Sequence, residues 1–385
     1  MTEIIHMLEK IVPPQQETLF NVLLTSCRKF ADIDAYIYQA GDKEIRVSYA
    51  KLFEDVLLLS RAFAEKGIRS GDRVMFLSDN RYGWMVTDLA VMSLGAVTVP
   101  RGSDTPSQEL NFIISNSHCS HLIVETTKLL DHHRETLKTL KGVKNTFVMA
   151  GPALHSFFGR TFSYQDLLKS RTYSEKDVEQ FITRGMEIDP RDQLTIIYTS
   201  GTTGMPKGVS LTHANIMHNV NCIPGIIELR SSDRWLSILP SWHIFERTAE
   251  YVALAGGCCL VYSSVKRFAQ DLELYRPTVV ATVPRVWESL FGRVQMAVKK
   301  KGRVAHTLFA AMIWISTKYR KNRRVINGHL PVFEKEPAVR KIISKTRAGF
   351  VCVILAPLYV VAQRKLDMVR QRFGGRLRLA VSGPV

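Results

Sequence analysis

The sequence predicts an α/β protein with two mostly parallel sheets flanked by helices, and three observations carry that expectation. Short β-branched runs alternate with helical patterns from Arg73 to Ser264. The runs are almost continuously apolar, as strands covered on both faces must be. The alternation occurs on both sides of the polar, irregular stretch Gly151–Arg191, which suggests two α/β units.

Taken in order, the first block offers strands at Arg73–Leu77, Ala96–Val99, His121–Val124 and Thr146–Met149. The second offers Leu194–Tyr198, Trp235–Leu239 and Cys259–Tyr262. Between them the apolar spacing turns helical at Tyr82–Leu94, Gln108–Ser115, His213–Val220 and Phe245–Ala255. After Trp287 the rhythm breaks. Arg303–Gln363 has no clear strand and two apolar stretches, Ala305–Ile315 and Ala348–Ala362, on either side of the basic run Lys318–Arg324. Each is shorter than the roughly 18–20 residues of a membrane-spanning helix, and Pro357 interrupts the second. A strand-like pattern returns at Leu377–Val381. The expected divisions are a first unit over 1–190, a second over 191–302, a helical basic and apolar insertion over 303–372, and a return to the second unit over 373–385.

The 385 residues carry 52 Lys and Arg against 35 Asp and Glu, a formal charge of +17. Between Lys266 and Arg378 there are 25 basic and 6 acidic residues, so this one segment accounts for the whole excess. No helix-turn-helix pattern, zinc spacing or aromatic RNP-like strand accompanies it, which argues against nucleic acid. The basic residues interleave with apolar runs, a pattern suited to an anionic membrane surface. Six cysteines without a CxxC pair point to a reduced, cytoplasmic compartment, and the basic and apolar segment to a place peripheral at the inner face of a membrane. The first ten residues contain acids and no long apolar run, so no secretory signal is expected.

The strongest local pattern is Tyr198-Thr-Ser-Gly-Thr-Thr-Gly-Met-Pro-Lys-Gly-Val209, directly after a strand candidate. Its glycines allow amide N–H groups to converge on an anion, and the hydroxyls of Thr199, Ser200, Thr202 and Thr203 add donors without bulk. Lys207 supplies charge. Thr212-His-Ala-Asn215 then reads as a helix start whose dipole favours an anion, placing the loop between strand and helix. The pattern is not a Walker loop, because Lys207 follows Pro206 rather than glycine.

Tyr198–Val209 resembles the signature loop of the adenylate-forming superfamily, which includes acyl-CoA synthetases, luciferases and peptide-synthetase adenylation domains. The resemblance implies a loop, Thr199 with Ser200, Gly201, Thr202, Thr203, Gly204 and Lys207, that holds the phosphates of ATP. Thr199 would help hold Mg2+ and Lys207 would contact phosphate. The implied reaction joins a carboxylate to AMP with loss of pyrophosphate, after which a thiol displaces AMP. Leu239-Pro-Ser-Trp-His-Ile-Phe-Glu-Arg247 resembles the long-chain fatty-acyl form of the second core motif. It implies Trp242 and His243 at the acyl site, with Glu246 and Arg247 either paired with each other or touching substrate. His243 alone would read as a core histidine; within the motif it is a gate candidate. Pro277–Trp287 resembles the passage bordering the acyl tunnel, which adds Val283 and Pro284. Phe373–Gly383 resembles the approach to the adenine-binding glycine motif, represented by Ser382 and Gly383.

The family's Tyr-Gly-x-Thr-Glu motif, ribose-binding aspartate, hinge and C-terminal domain with its lysine have no counterpart in the sequence. The resemblance therefore implies an N-terminal portion with little turnover alone, since losing one such electrostatic contact costs about 3–4 kcal/mol. Three readings stay open. One is a long-chain fatty-acid ligase transferring to coenzyme A, another an acyl–acyl-carrier-protein synthetase, and the third a non-catalytic nucleotide- or lipid-binding remnant.

Overall fold

The computed structural model describes residues 2–9, 17–140, 142–152, 160–169, 171–199, 206–329 and 337–383. They fall into two compact units, one of Met1–Val265 with Thr278–Ala281 and Leu379–Val381, the other of Lys266–Pro277, Thr282–Arg378 and Ser382–Val385.

The first unit opens with α1 (Thr2–Glu9) and α2 (Leu19–Lys29). Thr18 starts α2 by a reciprocal box: its hydroxyl accepts from the Asn21 N–H at 3.3 Å, and the Asn21 side chain accepts from the Thr18 N–H at 3.1 Å. The hairpin β1 (Asp34–Ala40) and β2 (Lys43–Ser48) follows, then α3 (Tyr49–Glu65), capped by Ser48. The chain next alternates through β3 (Arg73–Leu77), α4 (Tyr82–Met92), β4 (Val97–Arg101), α5 (Ser107–Asn116) and β5 (His121–Thr126). After α6 (Thr127–His132) and α7 (Arg134–Lys138) come β6 (Asn145–Ala150), β7 (Arg160–Ser163), α8 (Tyr164–Leu168) and α9 (Glu175–Met186). The antiparallel pair β8 (Gln193–Thr199) and β9 (Lys207–Thr212) leads into α10 (His213–Ile227), β10 (Arg234–Ser237), α11 (Ile244–Ala255) and β11 (Cys259–Tyr262). The remaining elements are α12 (Phe268–Tyr275), β12 (Val279–Thr282), α13 (Pro284–Lys299), α14 (Arg303–Asn327), α15 (Ala338–Gln371) and β13 (Leu379–Ser382).

The predicted fold class holds: the strands form two mixed, mostly parallel sheets, ordered β7-β6-β5-β3-β4-β8-β9 and β13-β12-β10-β11-β1-β2. Their membership differs from the expected division at 190/191. Strands β8 and β9 return to the first sheet, and the N-terminal hairpin β1–β2 joins the second. The pairing of β1 with β11 is parallel, Tyr36 opposite Leu260.

Side-chain alternation sorts the cores. Val74 and Phe76 of β3 enter the large core shared with α2, α3, α4 and α11 and with Tyr36, Trp235 and Leu260 of the other sheet. Met75 and Leu77 point the other way, into a smaller core with Leu110 and Ile113 of α5. Helix α4 thus packs on one face of the first sheet and α5 on the other. All six cysteines are free.

In the second unit, α14 and α15 confirm helices where the insertion was expected, with one correction. Pro357 does not divide the apolar segment: α15 runs unbroken for 34 residues. A proline removes a single backbone hydrogen bond, and the turns on either side keep theirs. Val339–Gln371 is therefore long and apolar enough to cross a membrane, by length and composition, and only 17% of its apolar window is buried.

Candidate functional site

The glycine- and threonine-rich segment connects two strands that pair as an antiparallel hairpin. Thr199 ends β8, Lys207 begins β9, and the two face each other across the ladder, both exposed. Ser200, Gly201, Thr202, Thr203 and Gly204 lie outside the described residues. The hairpin corrects the expectation of a loop between strand and helix. Helix α10 begins after Thr212, at the far end of β9. Five residue steps at about 3.4 Å place its N-terminus roughly 17 Å along the strand from Lys207, beyond the range of a first-turn dipole. The helix start expected there does form, closed by a capping box between Thr212 and Asn215. Gly208 sits opposite Tyr198, and a Cβ at Gly208 would lie 3.0 Å from the Tyr198 ring, so this strand position favours glycine. The Tyr198 hydroxyl donates to Asn116 Oδ1 at 2.5 Å, which fixes the base of the hairpin to α5.

Strands β3, β4 and β8 are parallel, so the turns after them share one edge of the sheet. Chain connections part here, with α4 on one face and α5 on the other, the usual place for a ligand crevice in an open α/β sheet. Arg101, at the end of β4, organises this edge. Its guanidinium donates to the Tyr198 carbonyl at 3.1 Å, pairs with Glu109, and lies 5.2 Å from the Trp242 ring centroid. Trp242 approaches the backbone so closely that a Cβ at Gly102 would fall 2.6 Å from its Nε1. His243 follows as the N-cap of α11, its ring 5.9 Å from that of Trp242. The His243 ring, though exposed, is partly shielded; that lost hydration and the Arg101 charge hold its pKa below the ordinary imidazole value. Asn80, after β3, pins the turn ahead of Trp242 by donating to the Leu239 carbonyl at 2.5 Å and accepting from the Ser241 N–H at 2.6 Å. The structure thus gathers Thr199, Lys207, Trp242 and His243 at the edge that Arg101 and Asn80 organise. Neither of those two stood out in the sequence, because the site segments each one holds lie at least 97 positions away.

The rest of the second motif is interior. Arg247 does not pair with Glu246, nor does it reach an open site. It is fully buried against the equally buried Asp88 of α4. Its guanidinium also donates to the Tyr251 hydroxyl at 2.6 Å and to Thr195 and Thr98 at 2.7 Å each. The result is one polar network tying α4, α11, β4 and β8. Glu246 is buried beside Glu250, and burial pushes both carboxyls up, Glu250 to about 7. Glu250 accepts from Ser237 at 2.9 Å and Ser241 at 2.7 Å, so it braces the same turn as Asn80.

Val283, Pro284, Ser382 and Gly383 belong to the second unit. Val283 caps α13, Pro284 occupies its first turn, and the Gly383 N–H donates to the Thr282 carbonyl at 2.9 Å. The four therefore cluster at the corner between β12 and α13, next to the end of β13.

Comparison with known proteins assigns this architecture. A long-chain-fatty-acid–acyl-carrier-protein ligase of Arabidopsis thaliana chloroplasts is 27% identical over 357 residues, 88% of this chain and 48% of that protein. A long-chain-fatty-acid–CoA ligase of Mycobacterium tuberculosis is 30% identical over 242 residues, 62% of this chain and 38% of that one. The chain spans about half the length of the Arabidopsis thaliana relatives it matches over most of its residues, 48% and 51% for two of them. Among solved structures, a long-chain-fatty-acid–CoA ligase from Archaeoglobus fulgidus superposes with a TM-score of 0.60 at 23% identity, over 72% of this chain and 53% of that one. An O-succinylbenzoate coenzyme A synthetase from Bacillus subtilis in complex with AMP gives 0.55 at 22%, over 71% and 64%. The AMP-binding enzyme family matches residues 23–374, from within α2 to just past α15, and the chain belongs to that family.

Proposed function

We propose that this chain is the nucleotide- and acyl-binding portion of an ATP-dependent long-chain fatty-acid ligase. The observation that carries the reading is Lys207 facing Thr199 at the mouth of the β8–β9 hairpin, on the edge that also presents Trp242 and His243. The fatty-acid carboxylate attacks the α-phosphorus of ATP, the α–β phosphoanhydride breaks, and acyl-AMP and pyrophosphate form. A carboxylate oxygen is a weak nucleophile, so the protein's part is positioning and charge compensation. Lys207 neutralises phosphate charge, and Ser200, Gly201, Thr202, Thr203 and Gly204 supply N–H and hydroxyl donors. Mg2+ would screen the phosphates, with Thr199 offering one hydroxyl oxygen; among the described residues no group of three His, Cys, Asp or Glu is gathered around a metal position. Trp242 and His243 flank the acyl entrance, Val283 and Pro284 border the acyl path, and Ser382 and Gly383 approach the adenine. Calorimetry with ATP tests this. Lys207→Ala should weaken binding about tenfold or more, the worth of a charged phosphate contact, while His243→Ala changes it little. Unchanged affinity in Lys207→Ala would sink the reading.

The thiol acceptor is coenzyme A in this proposal. An acyl carrier protein is the second reading, favoured by the carrier-protein ligase that aligns over most of the chain.

The same proposal places the protein in the cytoplasm, against the inner face of an anionic membrane. Support comes from α15, where Phe350, Val353 and Val361 are exposed and the flanking residues are basic. Co-sedimentation with phosphatidylglycerol vesicles should occur at low salt and fall as salt rises. Binding that survives both high salt and alkaline carbonate would mean that α15 spans the bilayer. No binding to any vesicle would remove the membrane from the proposal.

A further inference from the structure

The helical hairpin borders an open pocket away from the Thr199 and Lys207 edge. Pairing of Ser316 with Gln363 and of Arg320 with Tyr359 sets α14 and α15 antiparallel. With α13 they line an open pocket of about 440 Å3, within the range of small-molecule sites. Trp287, Phe291, Phe309, Ile313 and Leu366 make the walls apolar. The polar lining is confined to a few groups, chiefly Ser316, Arg320, Gln363 and Arg370.

The two arginines differ. Arg370 is already engaged by Asp367 at 2.8 Å and by the Gln363 side chain. Arg320 has a single long contact, 3.4 Å to the Tyr359 hydroxyl, and no carboxylate partner among the described residues. A guanidinium at the rim of an apolar cavity, lacking an acid, is complementary to an anionic group carried on a hydrocarbon chain.

We propose that this cavity binds a single-chain anionic amphiphile, with its hydrocarbon along α13 and its carboxylate on Arg320. The choice of a long-chain fatty acid as occupant rests on the ligase reading. The anionic-amphiphile class rests on the cavity alone. The site would hold substrate on the hairpin itself, apart from the hairpin loop of Thr199 and Lys207.

Trp287 provides a readout that needs neither ATP nor turnover. Below its micellar concentration, 9,10-dibromostearate should quench the intact chain's tryptophan fluorescence. In a Trp242→Phe background, which silences the acyl entrance, quenching should be largely lost in Trp287→Phe and kept in Trp314→Phe, a residue 57% exposed on α14. Arg320→Gln, at an exposed position, should weaken competition by stearate about tenfold and leave stearyl alcohol unchanged. Quenching that follows Trp314 instead would mean adsorption to the hairpin surface and would overturn the proposal. So would equal loss of acid and alcohol, or displacement of the probe by monomeric phosphatidylglycerol but not by stearate. Because ATP is absent, failure here leaves the Lys207 experiment standing, and the converse holds.

Discussion

Arg247→Ala should lower stability by about 3–5 kcal/mol, the usual cost of leaving one member of a buried ion pair without its partner. Asp88 has no access to water, and its carboxylate would be left facing only the hydroxyls of Thr98 and Tyr251. The substitution also opens a cavity beside Trp84, whose ring lies 5.5 Å from the guanidinium. Urea denaturation measures the loss, and the pair is separable by a double-mutant cycle. Asp88→Ala with Arg247→Ala should be less damaging than the two single changes added together, because removing both charges leaves neither stranded. A loss under about 1 kcal/mol in Arg247→Ala would show that the network is not holding α4 to α11.

The second large effect is a loss of stability in acid that belongs to His213. Its ring is buried, and Nδ1 accepts the Leu19 N–H at 3.2 Å, satisfying a first-turn donor of α2 that has no partner within the helix. Burial, aided by the Arg247 charge and opposed by Asp192, lowers its pKa to about 4 from the ordinary 6.5. The unfolded chain therefore takes up the proton first. Stability from this residue is complete above pH 6.5 and is lost as the pH falls toward 4, by about 3 kcal/mol in all. Glu250, with its carboxyl raised to about 7, changes in the opposite sense over part of that range. The informative quantity is thus the difference between the wild type and His213→Asn, whose amide oxygen still accepts from Leu19. The gap between their urea midpoints should narrow as pH falls from 7 to 4. Parallel pH profiles would mean that His213 is not the proton acceptor.

Which parts of this fold were legible follows from where each signal resides. Strands β3 and β5 were readable because Val74–Leu77 and Leu122–Val124 are buried on both faces, so burial shows as an unbroken apolar run. The edge strands β2 and β9 were not, since Lys43–Ser48 and Lys207–Thr212 are mostly exposed and their pairing needs no apolar pattern. That blindness produced the mistaken strand-to-helix loop. Motif similarity singled out Lys207 and His243 as candidates, but it could not tell that Arg247, whose only acidic neighbours in sequence are Glu246 and Glu250, finds its partner 159 positions earlier. Pro357 misled for a local reason: one missing backbone bond was weighed as a break, whereas a helix of 34 residues absorbs it.

The exchange of strands between the two sheets also sets a schedule for synthesis. Tyr36 of β1 and its partner Leu260 of β11 are 224 positions apart. At roughly 5–20 residues per second, about 10–45 s pass on the ribosome between the appearance of one and the other. For that interval the β1–β2 ribbon is a two-stranded hairpin, a form with little stability of its own, and its open side awaits a strand not yet made. Over that interval the nascent chain carries an unprotected pairing edge, which makes this β1–β2 ribbon the natural place for a chaperone to bind and for premature aggregation to begin.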